Sequence, residues 1–164
     1  MTDQFIFPQG SIGQAAHIHN EGMRVWREGR LDEALTYFLK ALTLKEQAGN
    51  LSAAASSIHM IGVIYAQKRD WENATRYFLR SLDIDADDRH PQGVAKSLND
   101  IAVMCGQRGQ VEARAALVEL GNRLLAHNRG QTEFDEVTAT ELCSQLPQVL
   151  DIGVLAAMKR LMRW

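Results

Sequence analysis

Three stretches of this chain align with one another at a constant offset of 40 residues. Glu28-Gly29-Arg30-Leu31-Asp32-Glu33-Ala34, continuing to Phe38 and Ala41, matches Lys68-Arg69-Asp70-Trp71-Glu72-Asn73-Ala74, continuing to Phe78 and Ser81. Arg108-Gly109-Gln110-Val111-Glu112, continuing to Val118 and Gly121, makes the third copy. The upstream halves obey the same rule: Ile18, Ile58 and Leu98 correspond, as do Gly22, Gly62 and Ala102, and His19, His59 and Asn99. A repeat of this length constrains the fold more than any other feature, because units this small bury their apolar faces only by stacking on their neighbours.

Each unit reads as two helices. Leu51 to Gln67 carries Ile58, Ile61, Ile64 and Tyr65 at helical spacing. Asp70 suits the N-cap of the next helix, Glu72 suits its first turn, and Ala74, Phe78 and Leu82 form its stripe. The same pattern predicts helices near 12–28, 31–47, 92–107 and 110–128. Alternating β-branched runs are scarce, so strands have little support. Gly22 and Gly62 fall inside predicted helices, where glycine costs about 1 kcal/mol relative to alanine. Its recurrence at one repeat position predicts a close helix–helix approach, with Ala34 and Ala74 opposite and Phe38 and Phe78 one turn further on.

Composition narrows the function. Of 164 residues, 46% are apolar and 23% charged, as in ordinary globular domains. Eighteen Lys and Arg against 20 Asp and Glu give a formal charge of -2, which argues against nucleic-acid binding. No apolar run is long enough to span a membrane. The opening Met-Thr-Asp-Gln-Phe-Ile-Phe-Pro lacks the basic and apolar parts of a secretory signal. The two cysteines, Cys105 and Cys143, show no CxxC spacing, so neither a disulfide framework nor a thiolate zinc site is expected, and a reducing cytoplasm fits.

The repeated residues resemble the tetratricopeptide repeat, with its large apolar residue, Leu-Gly, Tyr, Ala, Phe and Ala at fixed spacing. The second unit fits best, with Ile58, Ile61-Gly62, Tyr65, Ala74, Phe78 and Ser81. The first keeps Ile18, Gly22, Ala34, Phe38 and Ala41 but has Glu21 for Leu and Val25 for Tyr. In the third, Arg114 replaces the small residue, and a one-residue shift to Ala113, Leu117 and Leu120 is the alternative register. The period resembles that of the long-helix members of the family. The resemblance implies an all-α, right-handed α-α superhelix of three helix pairs, over about 12–50, 51–90 and 91–130. A flexible segment at 1–11 would precede it, and an acidic segment with a capping helix or helices at 131–164 would follow.

In that tail, Thr132 and Glu133 could open a helix that Pro147 closes, and Val154, Leu155, Met158, Leu161 and Met162 then form an apolar stripe. It reads as a cap on the array. Its alternatives are docking on another chain or, with only Lys159, Arg160 and Arg163, on anionic lipid.

The resemblance also implies a concave groove lined by the first helix of each unit. Carried over by offset, its positions are Ala16, His19, Met23, Trp26 and Arg27, then Ser56, His59, Val63, Ala66 and Gln67, then Lys96, Asn99, Val103 and Gln107. The candidate partner-binding residues are therefore His19, Met23, Trp26, Arg27, His59, Val63, Lys96, Asn99 and Val103, with Trp26 and Arg27 as anchors or, alternatively, as part core and part solvated surface. The family's carboxylate clamp is not matched: Lys96 falls on one of its positions, but His19, Met23, Met60 and Asp100 replace the others. His17, His19 and His59 make a poor zinc site without a third ligand, and read as polar groove residues. No phosphate-loop, nucleophile-elbow or zinc-protease motif occurs. The expectation is a non-catalytic binding module for a protein or peptide ligand, without cofactor or metal. The other reading is a scaffold that self-associates through the C-terminal helix or the array ends.

Overall fold

The computed structural model describes residues 11–164. Positions 1–10 of the segment expected to be flexible lie outside the described residues; Ser11 already opens a helix. Six helices form three antiparallel pairs: α1 (Ser11–Arg27) with α2 (Leu31–Gln47), α3 (Leu51–Gln67) with α4 (Trp71–Asp87), and α5 (Pro91–Gln107) with α6 (Val111–Asn128). Two more follow, α7 (Glu136–Cys143) and α8 (Gln148–Met162). No strand occurs among the described residues. The arrangement is an all-α superhelical solenoid.

Local chemistry sets the helix starts. Asn50 and Asp70 accept hydrogen bonds from the backbone N–H of Ala53 and Asn73, at 2.8 and 3.2 Å. Pro91 occupies the first turn of α5, where its missing N–H is no loss. The turns inside the pairs need a left-handed residue. Gly29 and Gly109 supply it at φ 78° and 73°, whereas Arg69 takes φ 60° at the matching place.

The glycine contacts differ from the expected pairing. A Cβ on Gly22 would lie 3.1 Å from the Phe38 ring, and one on Gly62 would lie 2.8 Å from the Phe78 ring. The phenylalanines, not Ala34 and Ala74, thus occupy the space each glycine leaves. The reason is reach: the ring extends back toward the N-terminal turn of its own helix and lies across the neighbouring backbone. Ala34 and Ala74 are buried alongside. In the third unit, Ala113, Leu117 and Leu120 are buried while Arg114 and Val118 are exposed, so the shifted register is the one that faces the core.

The tail folds differently from the sequence expectation. Asp135, not Thr132, caps α7 by accepting from the Thr138 N–H at 2.8 Å, and Pro147 opens α8 instead of closing a helix. Helix α7 packs on α6, but α8 turns back and lies against α4 instead of stacking beyond the last pair. Val154, Ala157 and Met158 join Leu82, Leu117, Leu120 and Leu124 in one buried cluster. Gly153 lets α8 come close, since a Cβ there would sit 2.8 Å from a methyl of Leu79. The tail's cations meet acids of this chain: Arg160 pairs with Asp83 and, at 2.9 Å, with Asp87, and Lys159 with Glu136 at 2.6 Å. Trp164 packs edge-on to Phe134, with ring centroids 5.4 Å apart, and so pins the end of α8 to the segment after α6.

Candidate functional site: an inner face built by the first helices

Helices α1, α3 and α5 form one layer, and α2, α4 and α6 the other; α8 lies on the second. Two hydrogen bonds tie α1 to α3 across the first layer. The indole N–H of Trp26 donates to Gln67 Oε1 at 2.9 Å, and His19 Nδ1 lies 3.0 Å from Ser57 Oγ.

The inner face has a repeated apolar line. Met23 and Val63 are half-buried, and Val103 is 50% exposed. Around it the polar positions are accessible. Arg27, Ser56, Gln67, Lys96, Asn99 and Gln107 are exposed. Lys96 and Asn99 line a cavity of about 360 Å³ whose floor includes Leu117. Trp26 is half-buried: one side packs on the core cluster of the first two units, and the other lines a shallow hollow with Arg27, Leu31 and Gln67. It is part core and part surface at once.

His59 sits deeper than the other residues read as groove lining. It is 6% exposed, its Nε2 lies 3.1 Å from Asp100 Oδ2, and its ring packs on Phe78. What is left open of it forms part of the lining of a small cavity of about 250 Å³, beside Ser56, His90 and Lys96. The cause of its burial is the α3–α5 approach, which brings Asp100 over the histidine. His19 and His59 have separate partners and form no joint site. Among the described residues, no group of three His, Cys, Asp or Glu side chains is arranged to hold a metal.

One member of this region escaped the sequence reading because it comes from a second helix. Lys45 of α2 is only 5% exposed, and its ammonium donates to Ser57 Oγ at 2.9 Å and Ser56 Oγ at 3.2 Å. Ser57 Oγ thus accepts from the Lys45 ammonium and also lies at hydrogen-bond distance from His19 Nδ1, which links the three side chains across α1, α2 and α3. Burial lowers the Lys45 pKa. Burial, then Lys45 and Lys96, push that of His19 down to about 4, so it is neutral at pH 7. No repeat signal marks Lys45, since Asp85 and Leu125 stand at its offsets. The thiols offer no reactive group: burial raises the pKa of Cys105, and that of Cys143 to about 12.

Fold and inner face together define a helical-repeat protein. Residues 14–87 match the tetratricopeptide repeat family. Repeats of this family generally mediate protein–protein interactions, and the family is typically non-enzymatic. The crystal structure of BtubC (BKLC) from P. vanneervenii is similar over 98% of this chain, with a TM-score of 0.65 at 20% identity, a likeness of fold. The chain spans 66% of the length of that one. No curated protein matches the sequence. No helix among the described residues is long and apolar enough to cross a membrane.

Proposed function

We propose that this chain is a non-catalytic interaction module, an adaptor or assembly factor of the cytoplasm, that holds a peptide or helix of a partner protein on its inner face. One observation carries the reading. Met23, Val63 and Val103 recur at the repeat offset as an apolar line on α1, α3 and α5, while the tail helix packs on the other layer and leaves that line uncovered. An extended or helical partner would follow this line with apolar side chains. Trp26, held by Gln67, would serve as anchor, and Arg27, Lys96 and Asn99 as polar contacts. His19 and buried His59 would support the face from behind. Nothing in this reading calls for a cofactor, a metal or nucleic acid.

The test starts from partners captured by the parent protein and compares variants by calorimetry. Trp26→Ala should weaken binding by about 2 kcal/mol or more, as interface anchors do. Lys96→Ala should cost less, and chelator should change nothing. Unchanged affinity in both variants would move the binding surface off this face.

A second reading has its own support. Val149 and Ile152 on α8 and Val137 on α7 are exposed apolar side chains. They suit self-association through the tail, which light scattering on Ile152→Asp against the parent would detect as a loss of mass.

A further inference from the structure

Where α8 crosses the start of α4, a cavity of about 970 Å³ opens on the layer away from the groove. Its walls are apolar: Trp71 and Leu79 come from α4, and Pro147, Val149 and Leu150 from the head of α8. The size is that of a small-molecule pocket, roughly 300–1,000 Å³.

The charge around this cavity is unbalanced. Asp70 caps α4 and keeps its charge, whereas Asp83 is paired with Arg160, and Arg80 with Glu46. That leaves Arg69, Arg76 and Arg108 without an ion-pair partner among the described residues, against the two acids Asp70 and Glu72. Arg76 is turned aside, bonded to Asn73 and lying over the Tyr77 ring. Arg69 and Arg108 remain, one from the α3–α4 turn and one from the α5–α6 turn, and both line the cavity.

Arg69 also carries a backbone cost. It holds φ 60° where the matching turns use Gly29 and Gly109. A non-glycine residue in this region is strained unless its surroundings repay it. No contact of the guanidinium among the described residues does so. Arg89 takes the same conformation, at φ 54°, where the matching turn has Gly49, so the backbone alone does not mark a ligand; the unpaired charge of Arg69 beside this cavity is what points to an anion.

We propose that this cavity binds a small amphipathic anion. Its apolar body would lie against Trp71, Leu79 and Leu150, and its carboxylate or phosphate head on Arg69 and Arg108. Arginine suits this task because its planar fork offers paired donors to an oxyanion. The occupant is taken as a free small molecule because the cavity volume matches one, and the two unpaired arginines among its lining residues favour a charged head.

The probe is the dye anilinonaphthalene sulfonate, with N-phenylnaphthylamine as its uncharged parent. The sulfonate should bind with a single site per chain, and about tenfold or more tighter than the neutral dye. Arg69→Gly and Arg108→Gln should each weaken the sulfonate about tenfold and leave the neutral dye unchanged. Arg69→Gly should melt no lower than the parent, and up to about 2–4 °C higher, because glycine suits the turn. That combination, better folding with poorer binding, is the signature of strain kept for a ligand. Equal affinity for the two dyes overturns the proposal, as does unchanged sulfonate affinity in both variants. A stable dimer that admits dye only after Val149→Asp would assign the cavity to a second copy of the chain and would also overturn it.

Discussion

A hydrogen atom in place of a methyl group decides how closely the helices of the first two pairs can approach, at Gly22 and Gly62. The Cβ that Gly62 lacks would stand 2.8–2.9 Å from two ring carbons of Phe78, itself enclosed by the core. At Gly22 the same contact is 3.1–3.2 Å. Gly62→Ala should therefore destabilise by about 1–3 kcal/mol from overpacking, less about 1 kcal/mol gained in helix propensity. Gly22→Ala should be closer to neutral. Urea denaturation of both variants checks this, and a Gly62→Ala protein as stable as Gly22→Ala would refute the ring contact. His19 gives a second test at this scale. Its folded pKa of about 4 lies below the unfolded value of 6.5. The unfolded chain thus takes up the proton first, and stability falls as pH drops from about 6.5 toward 4. His19→Gln should flatten this part of the profile relative to the parent. Carboxylates titrate in the same range, so the difference between the two melting-temperature curves, rather than either alone, is the measurement.

At the level of helices, the repeat made six of them legible, because an offset of 40 registers apolar stripe, turn and cap together. The partner of each glycine was not legible. Offset says which positions are equivalent, but not how far a ring reaches across the helix contact. The third pair shows the same limit: Arg114 occupies the repeat position, while burial selects Ala113, one residue earlier. At the inner face, Val103, Lys96 and Asn99 are exposed, whereas His59 is buried, since its cover comes from Asp100 on another helix, which an offset between first helices does not reveal. Tail helices fall outside the period, so their apolar stripe announced burial without naming the surface. Removal of residues 148–164 would uncover Leu79 and Leu82 on α4. The shortened chain should unfold with reduced cooperativity or aggregate, which circular dichroism and light scattering would register. By contrast, Arg160→Ala should cost only about 0–1 kcal/mol, because its ion pairs with Asp83 and Asp87 are exposed.

Over the whole molecule, stability is unevenly shared. One buried cluster spans α1 to α3 with part of α2, and a larger one runs from α4 through α8. In a stacked array the terminal unit has a single neighbour to lean on. The first pair has only that, whereas the last pair is also covered by α7 and indirectly held by α8. Amide hydrogen exchange should therefore be faster in α1 and α2 than in α4, α5 and α6. Uniform protection along the chain would contradict this division.

The return of α8 to α4 has a mechanical meaning. A plain solenoid behaves as a spring, each turn sliding a little on the next. Here the end of the coil is fastened to its own middle, so the later turns are braced like the sides of a triangle. Any bending is left to the junction between the first and second pairs, where α2 meets α3 without such a brace. Stretched between its ends, the chain would not lengthen evenly: the first pair would peel away, while the braced half kept its shape until α8 tore free of α4.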